Sequence, residues 1–229
     1  MLTQERINTL AGSVRYEING PLLDLYKYAH KGDWGATKNY LSQYPNAKKA
    51  KIKPYGGTAL HVAAIAGNLT VVEELVRMMS GEELEIQDDE GSTALFSAAI
   101  AGITKMAECL VSKNKNLVTF VNEDAKIPLV EACIRNHKDM ALYLYSVTPF
   151  EFLCQGNGNH GSCFLLCAIG AQMLGKRLYP LITYFPFFVY LFSCFFHKFS
   201  LSSKLLFISC NLIKLINQSI IMVLKLYES

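Results

Sequence analysis

One stretch, Gly57-Thr58-Ala59-Leu60-His61-Val62-Ala63-Ala64-Ile65-Ala66-Gly67, returns lightly altered as Gly91-Ser92-Thr93-Ala94-Leu95-Phe96-Ser97-Ala98-Ala99-Ile100-Ala101-Gly102. Thr58 and Thr93, Leu60 and Leu95, Ala63 and Ala98, and Gly67 and Gly102 each stand 35 residues apart. A fixed period of that size marks a chain of stacked supersecondary units, none of which can bury its own apolar face alone. The constraint outranks other local signals, because each unit must fit the next.

The register extends both ways. Leu25, Leu60, Leu95 and Leu129 align at separations of 35, 35 and 34, followed by Ala29, Ala64, Ala99 and Cys133. Gly32, Gly67, Gly102 and Asn136 then fall where a first helix should stop, and Gly and Asn tolerate the left-handed backbone of a helix C-terminus. Beyond each stop the apolar spacing predicts a second helix. It shows in Val71, Val72, Leu75 and Val76, in Met106, Ala107, Leu110 and Val111, and in Met140, Ala141, Leu144 and Tyr145. The first copy is weaker, with Ala36, Tyr40 and Leu41. Each unit therefore reads as helix, tight turn, helix and loop.

The pattern resembles the ankyrin repeat. That family's signature Gly-x-Thr-Pro-Leu-His-x-Ala-Ala-x-x-Gly corresponds to Gly56 through Gly67, with Ala59 and Ala94 in place of proline and Pro128 restoring it. Phe96 and Val130 replace His61. The resemblance implies an all-α solenoid of helix-turn-helix repeats with hairpin loops, followed here by a hydrophobic helical tail. It covers residues 21–150 as four repeats, about 21–55, 56–90, 91–125 and 126–150, after a leader at 1–20. It implies fold roles for Thr58, Leu60, His61, Gly67, Thr93, Leu95 and Gly102, with Thr58 capping the first helix and His61 bonding the turn. Chemistry is not expected of them.

The loops between units hold the candidate binding residues. In the ankyrin fold they are fingers beside a concave face, which places Tyr55, Asp88, Asp89, Glu90, Glu123 and Asp124 as partner-contacting positions. Their charge runs from basic to acidic, a pattern suited to choosing a protein partner. The run Lys48-Lys49-Ala50-Lys51-Ile52-Lys53 lacks interleaved aromatics or a wider basic face, so no nucleic-acid partner is expected.

Charge divides the chain. Residues 1–151 carry 18 acids and 16 Lys/Arg, whereas residues 152–229 carry one acid, Glu228, against six bases. The opening Met1-Leu2-Thr3-Gln4-Glu5-Arg6 is unlike a secretory signal. Seven cysteines without an even framework predict reduced thiols in a cytosolic setting for the first two thirds of the chain. Cys109 and Cys133 take apolar helical positions.

The segment 151–176 is expected to be a Gly-rich connector and a helix. Within it, Phe150–Cys154 as a strand, then Gly156-Asn157-Gly158-Asn159-His160-Gly161, imitates a dinucleotide loop. The acid that would hold a ribose about 20 residues on is missing, since no carboxylate occurs between Glu151 and Glu228. Cys154, His160, Cys163 and Cys167 have zinc-ligand identities but no standard ligand spacing, and Cys163 and Cys167 fit the apolar face of a helix. No cofactor, metal or small-molecule substrate is expected, nor catalysis. A nucleotide- or zinc-binding protein using residues 154–167 is the competing class.

From Leu178 to Phe196 there is no charged residue, and such a run as a helix spans about 28 Å, near the hydrocarbon thickness of a bilayer. Residues 205–224 form a poorer span, broken by Asn211, Lys214, Asn217 and Gln218. The tail 177–229 is thus a candidate membrane segment. Repeats joined to a membrane domain, with the run Thr148-Pro149-Phe150-Glu151-Phe152-Leu153, resemble the plant ankyrin proteins with a C-terminal PGG-type membrane domain. That likeness implies a membrane-anchored protein-interaction scaffold in stress or defence signalling, at the plasma membrane or an endomembrane, with its repeats in the cytoplasm. The repeat register ends near Gly175, where Phe, Leu, Ile, Tyr, Ser, Lys and Asn take over. A translated intron or a misplaced gene boundary after about residue 175 would produce such a change. The alternative is a soluble truncated fragment that competes for partners.

Overall fold

A computed structural model describes residues 22–52, 56–154 and 159–170. The leader, Tyr55 and the runs 178–196 and 205–224 lie outside the described residues. The chain falls into two compact units, Met1–Pro128 and Leu129–Ser229.

The first unit contains three helix pairs: α1 (Leu23–Lys31) with α2 (Trp34–Gln43), α3 (Ala59–Ile65) with α4 (Leu69–Met78), and α5 (Ala94–Ala101) with α6 (Thr104–Lys113). First helices stack on first helices, α1 on α3 on α5, while α2 meets α4 and α4 meets α6. Small side chains allow this close approach. Ala29, Ala63, Ala64, Ala98 and Ala99 are fully buried, and Leu25, Leu60 and Leu95 fill the space between layers. The second helices turn Val71, Val72, Leu75 and Val76, then Met106, Ala107, Leu110 and Val111, into the same core. Ala36 and Tyr40 are only half-buried, so α2 offers the core less.

After each second helix a short 3-10 turn carries the chain onward: Pro45–Lys49, Glu82–Glu85 and Lys115–Thr119. These turns have no counterpart in the sequence reading. They bury Ala47, Leu84, and Leu117 with Val118, closing the end of each layer.

The second unit holds α7 (Pro128–Ile134) and α8 (Lys138–Val147), then α9 (Phe150–Cys154) and α10 (Asn159–Gly170). Phe150–Cys154 is helical, which corrects the strand reading of that run. Gly161 lies inside α10, so a strand–glycine loop–helix unit is not formed there. Pro149 opens α9, its carbonyl accepting from Phe152 and Leu153 N–H at 3.1 and 3.3 Å. Tyr145 stacks on Phe164 at 5.2 Å, and Phe152 on His160 at 5.4 Å. Cys163 is exposed, contrary to its expected place on the buried face, and Cys167 is half-buried.

No strand occurs among the described residues; the hairpin character of the loops survives as one isolated bridge between Ile52 and Gly57. Two positions take left-handed backbone. The helix-end position does so at Gly32, Gly67, Gly102 and Asn136, with φ of 79°, 80°, 74° and 62°. The loop position does so at Gly56, Gly91 and Ala125, with φ of 66°, 74° and 57°. Ala125 therefore bears a Cβ where the two preceding loops have none, at a cost of roughly 1–2 kcal/mol. Ala125→Gly should raise stability by about 0.5–1 kcal/mol once the freer unfolded chain is offset, readable as a higher urea midpoint.

Candidate partner-binding surface

The repeat motif is consumed in joining layers. Thr58 and His61 close a capping box at the start of α3. Thr58 N–H donates to His61 Nδ1 at 3.1 Å, and the Thr58 hydroxyl lies 3.0 Å from the same nitrogen. On the far side of the ring, Nε2 is 3.1 Å from the Ser92 carbonyl oxygen, in the next repeat. A carbonyl can only accept, so Nε2 carries the proton and Nδ1 is left as an acceptor. Burial holds the imidazole below its ordinary histidine value, against the pull of the nearby Asp88 charge. The neutral ring thus works as a two-ended strut.

In the following repeat Phe96 occupies the histidine position and is 1% exposed. Thr93 Oγ1 is then buried with no hydrogen-bond partner. A hydroxyl in that state costs about 1–3 kcal/mol. Thr93→Val should leave stability unchanged or raise it, whereas Thr58→Val should lower it by about 1 kcal/mol; parallel urea titrations of the two variants make the comparison.

Several ties were not legible as site residues. Asn68 donates from Nδ2 to the Ala29 and His30 carbonyls at 2.8 Å each, lying over Gly32, where a Cβ would meet its Oδ1 at 2.7 Å. Asn114 Nδ2 reaches back to the Gly81 carbonyl at 2.9 Å and Glu85 Oε1 at 2.8 Å. Glu83 takes Lys48 at 2.9 Å and Lys49 at 3.4 Å while accepting from Ser80 N–H at 2.9 Å. The Lys48 hydrogen bond, then the Ser80 amide, hold its carboxyl below the usual range. Lys51 adds a longer contact to Asp89, 3.7 Å. The basic run 48–51 is thus turned onto acids of the next repeat.

The loop residues divide by role. Asp88 is spent internally: its Oδ1 accepts from Glu90 and Ser92 N–H at 2.9 and 2.8 Å, and its own N–H donates to the Ser92 carbonyl at 2.8 Å. Asn122 does the same in the next loop, its Oδ1 accepting from Lys126 N–H at 2.9 Å. An Asp and an Asn 34 residues apart were the available signal, since both side chains favour such turns. Asp89 is exposed but leans on the first loop, where a Cβ at Gly56 would collide with its carboxylate. Asp124 pairs with Lys126 at 2.9 Å. The Glu90 carbonyl accepts from Glu123 N–H at 3.0 Å, which sets these two loops side by side. The side chains of Glu90 and Glu123 are both exposed.

Residues 60–151 match the family model of ankyrin repeats, in three copies. These residues are ankyrin repeats. The chain is also similar to the FYVE zinc finger domain protein UPA1 of Mycosarcoma maydis, 36% identical over 94 residues, covering 41% of this chain and 7% of that protein. A second relative is ankyrin repeat protein nuc-2 of Neurospora crassa, 28% identical over 135 residues, 53% of this chain and 12% of the relative. The chain thus spans about a tenth of the length of these two curated relatives. Ankyrin repeats imply a protein-binding role. Among the described residues, no helix is long and apolar enough to cross a membrane.

Proposed function

We propose that this chain is a non-catalytic adaptor whose ankyrin fingers bind a protein partner carrying basic residues. One observation carries the reading. The polar groups of the repeat motif hold the layers together, while Glu90 and Glu123 stand exposed on two adjoining loops, with Asp89 and Asp124 beside them. Exposed acids of this kind select a partner by complementary charge and speed its encounter more than they tighten the complex. Tyr55 is assigned to the same surface by its place in the repeat register alone, and Asp88 serves that surface by shaping its loop.

The finer assignment follows from resemblance: a scaffold in plant stress or defence signalling, held at the plasma membrane or an endomembrane by the tail 177–229, with the repeats in the cytoplasm. The uncharged run 178–196 supports the anchor. Nucleic acid has no role in this reading.

Affinity capture with the full chain, beside the double reversal E90K/E123K, tests the binding surface. Partners held by the unchanged protein should be lost or weakened about tenfold by the reversal, and more so at low salt. Identical capture by both proteins would remove the fingers from the interface. Carbonate washing of membranes tests the anchor; release of the protein into the wash would refute it.

A further inference from the structure

Beyond α8 the chain keeps the period of the preceding layers. Phe150–Cys154, α9, stands 35 residues after the 3-10 turn Lys115–Thr119, which stands 70 after Pro45–Lys49. It buries Leu153 as the earlier turn buries Val118, 35 residues before. In α10, Ser162, Phe164, Leu165 and Ala168 stand 35 residues after Ile127, Leu129, Val130 and Cys133. All eight are buried. Tyr145 of α8 stacks on Phe164 at 5.2 Å. Val76 and Val111 hold the place of Tyr145 on the earlier second helices, and both are buried.

Polar and half-buried positions repeat as well. Ser162 takes the place of Thr58 and Thr93, and Leu165 that of His61 and Phe96. Where the histidine is present the hydroxyl has a partner; where Phe96 or Leu165 replaces it, Thr93 Oγ1 and Ser162 Oγ are buried without one. Cys167 is half-buried, as is Tyr28 in the first repeat, whereas Ala63, Ala98 and Ala132 between them are fully buried. Looser packing of this kind belongs to the end units of a stack, which lack a neighbour on one side. One difference stands out: α10 begins at Asn159, four residues ahead of the position where α3 and α5 begin, so Ser162 is its fourth residue.

We propose that α9 closes the fourth repeat and α10 opens a fifth, so that the protein-binding array runs on to Gly170. Phe164, Leu165 and Ala168 then join α10 to the fourth repeat, and the residues that imitate a dinucleotide loop or a zinc set are the start of a repeat. The fifth repeat is opened without a second helix of the usual pattern. Gly175, Lys176, Tyr179 and Pro180 stand one period after Met140, Ala141, Leu144 and Tyr145, and they do not continue the apolar face. The extent of the array rests on the spacing and burial of fold residues, so it stands or falls apart from the acidic fingers.

Exchanging one repeat's residues for another's in the full chain tests the assignment. The heptad Thr58–Ala64 of the second repeat, placed over Ser162–Ala168, is the variant S162T/C163A/F164L/L165H/L166V/C167A. The control carries the same heptad one residue later, as C163T/F164A/L166H/C167V/I169A. Amide hydrogen exchange, read by mass spectrometry on peptides from α8 and α10, compares them. The in-register variant should exchange within about threefold of the unchanged chain, because each residue meets a site of its own kind. The shifted variant, which empties the Phe164 site, should exchange about a hundredfold faster. Equal exchange in the two variants, or faster exchange in the first, would overturn the proposal. Stoichiometric zinc or nucleotide held by the unchanged chain and lost in the in-register variant would overturn it too.

Discussion

Leu95→Ala should destabilise the N-terminal unit by about 2–5 kcal/mol, the range for emptying a well-packed leucine site. Leu95 is fully buried in α5, whose neighbours are α3 in the preceding repeat and α6 in its own. In a stacked array, stability is a sum of repeat terms and nearest-neighbour terms, and a first-helix leucine contributes to both. Whole domains have only about 5–15 kcal/mol in hand, so this loss is a large share of the total. The single tryptophan, Trp34, lies in α2 of the same unit and reports its unfolding in urea. Leu95→Met, which keeps the volume, should cost under about 1.5 kcal/mol. Equal midpoints for the Ala and Met variants would contradict the packing described.

His61→Ala should be the second large loss, about 2–4 kcal/mol, because it deletes a strut bonded at both ends. The Thr58 amide would lose its partner in a buried setting, where an orphaned group costs more than a hydrogen bond contributes, and the Ser92 carbonyl would keep only the Asp88 N–H. The same residue makes stability depend on pH. Burial lowers its folded value, whereas the unfolded chain takes up the proton near about 6.5. Below that pH the unfolded state binds more protons, so this stabilisation is fully present above about 6.5 and is lost as the pH falls towards the folded value. His61→Phe, which copies the next repeat, should flatten the part of the stability–pH curve between about 7 and 5 that belongs to this ring. Parallel denaturation series at several pH values check it; curves of the same slope would remove His61 as the cause.

The helix pairs were readable because repetition multiplies a weak signal. Any one of Leu25, Leu60, Leu95 or Leu129 says little, but four leucines in register say which face is inside. The left-handed helix ends were readable for a similar reason, since so few residues tolerate that backbone. Ties between layers were harder to see. Asn68, Glu83 and Asn114 are ordinary polar residues until a neighbouring repeat brings a carbonyl or a lysine within 3 Å. The strand reading of Phe150–Cys154 failed because a five-residue apolar run has no period to separate strand from helix. Pro149, which suits a helix start, was the better guide.

The candidate surface shows the same division. Six loop residues were chosen by repeat position, and position alone could not sort them. Asp88 and Glu90 are two apart in one acidic run, yet one carboxylate is turned back onto its own loop and the other faces water.

The amino-acid sequence by itself determined the repeat, its period, the apolar faces and the places where helices stop, because these depend on residue type at fixed spacing along one chain. Tertiary structure alone decided which polar groups meet across layers and which acids of the loops face water. Such contacts join residues 30 or more apart, and their energy exists only once stacking has excluded water and fixed the distances between them.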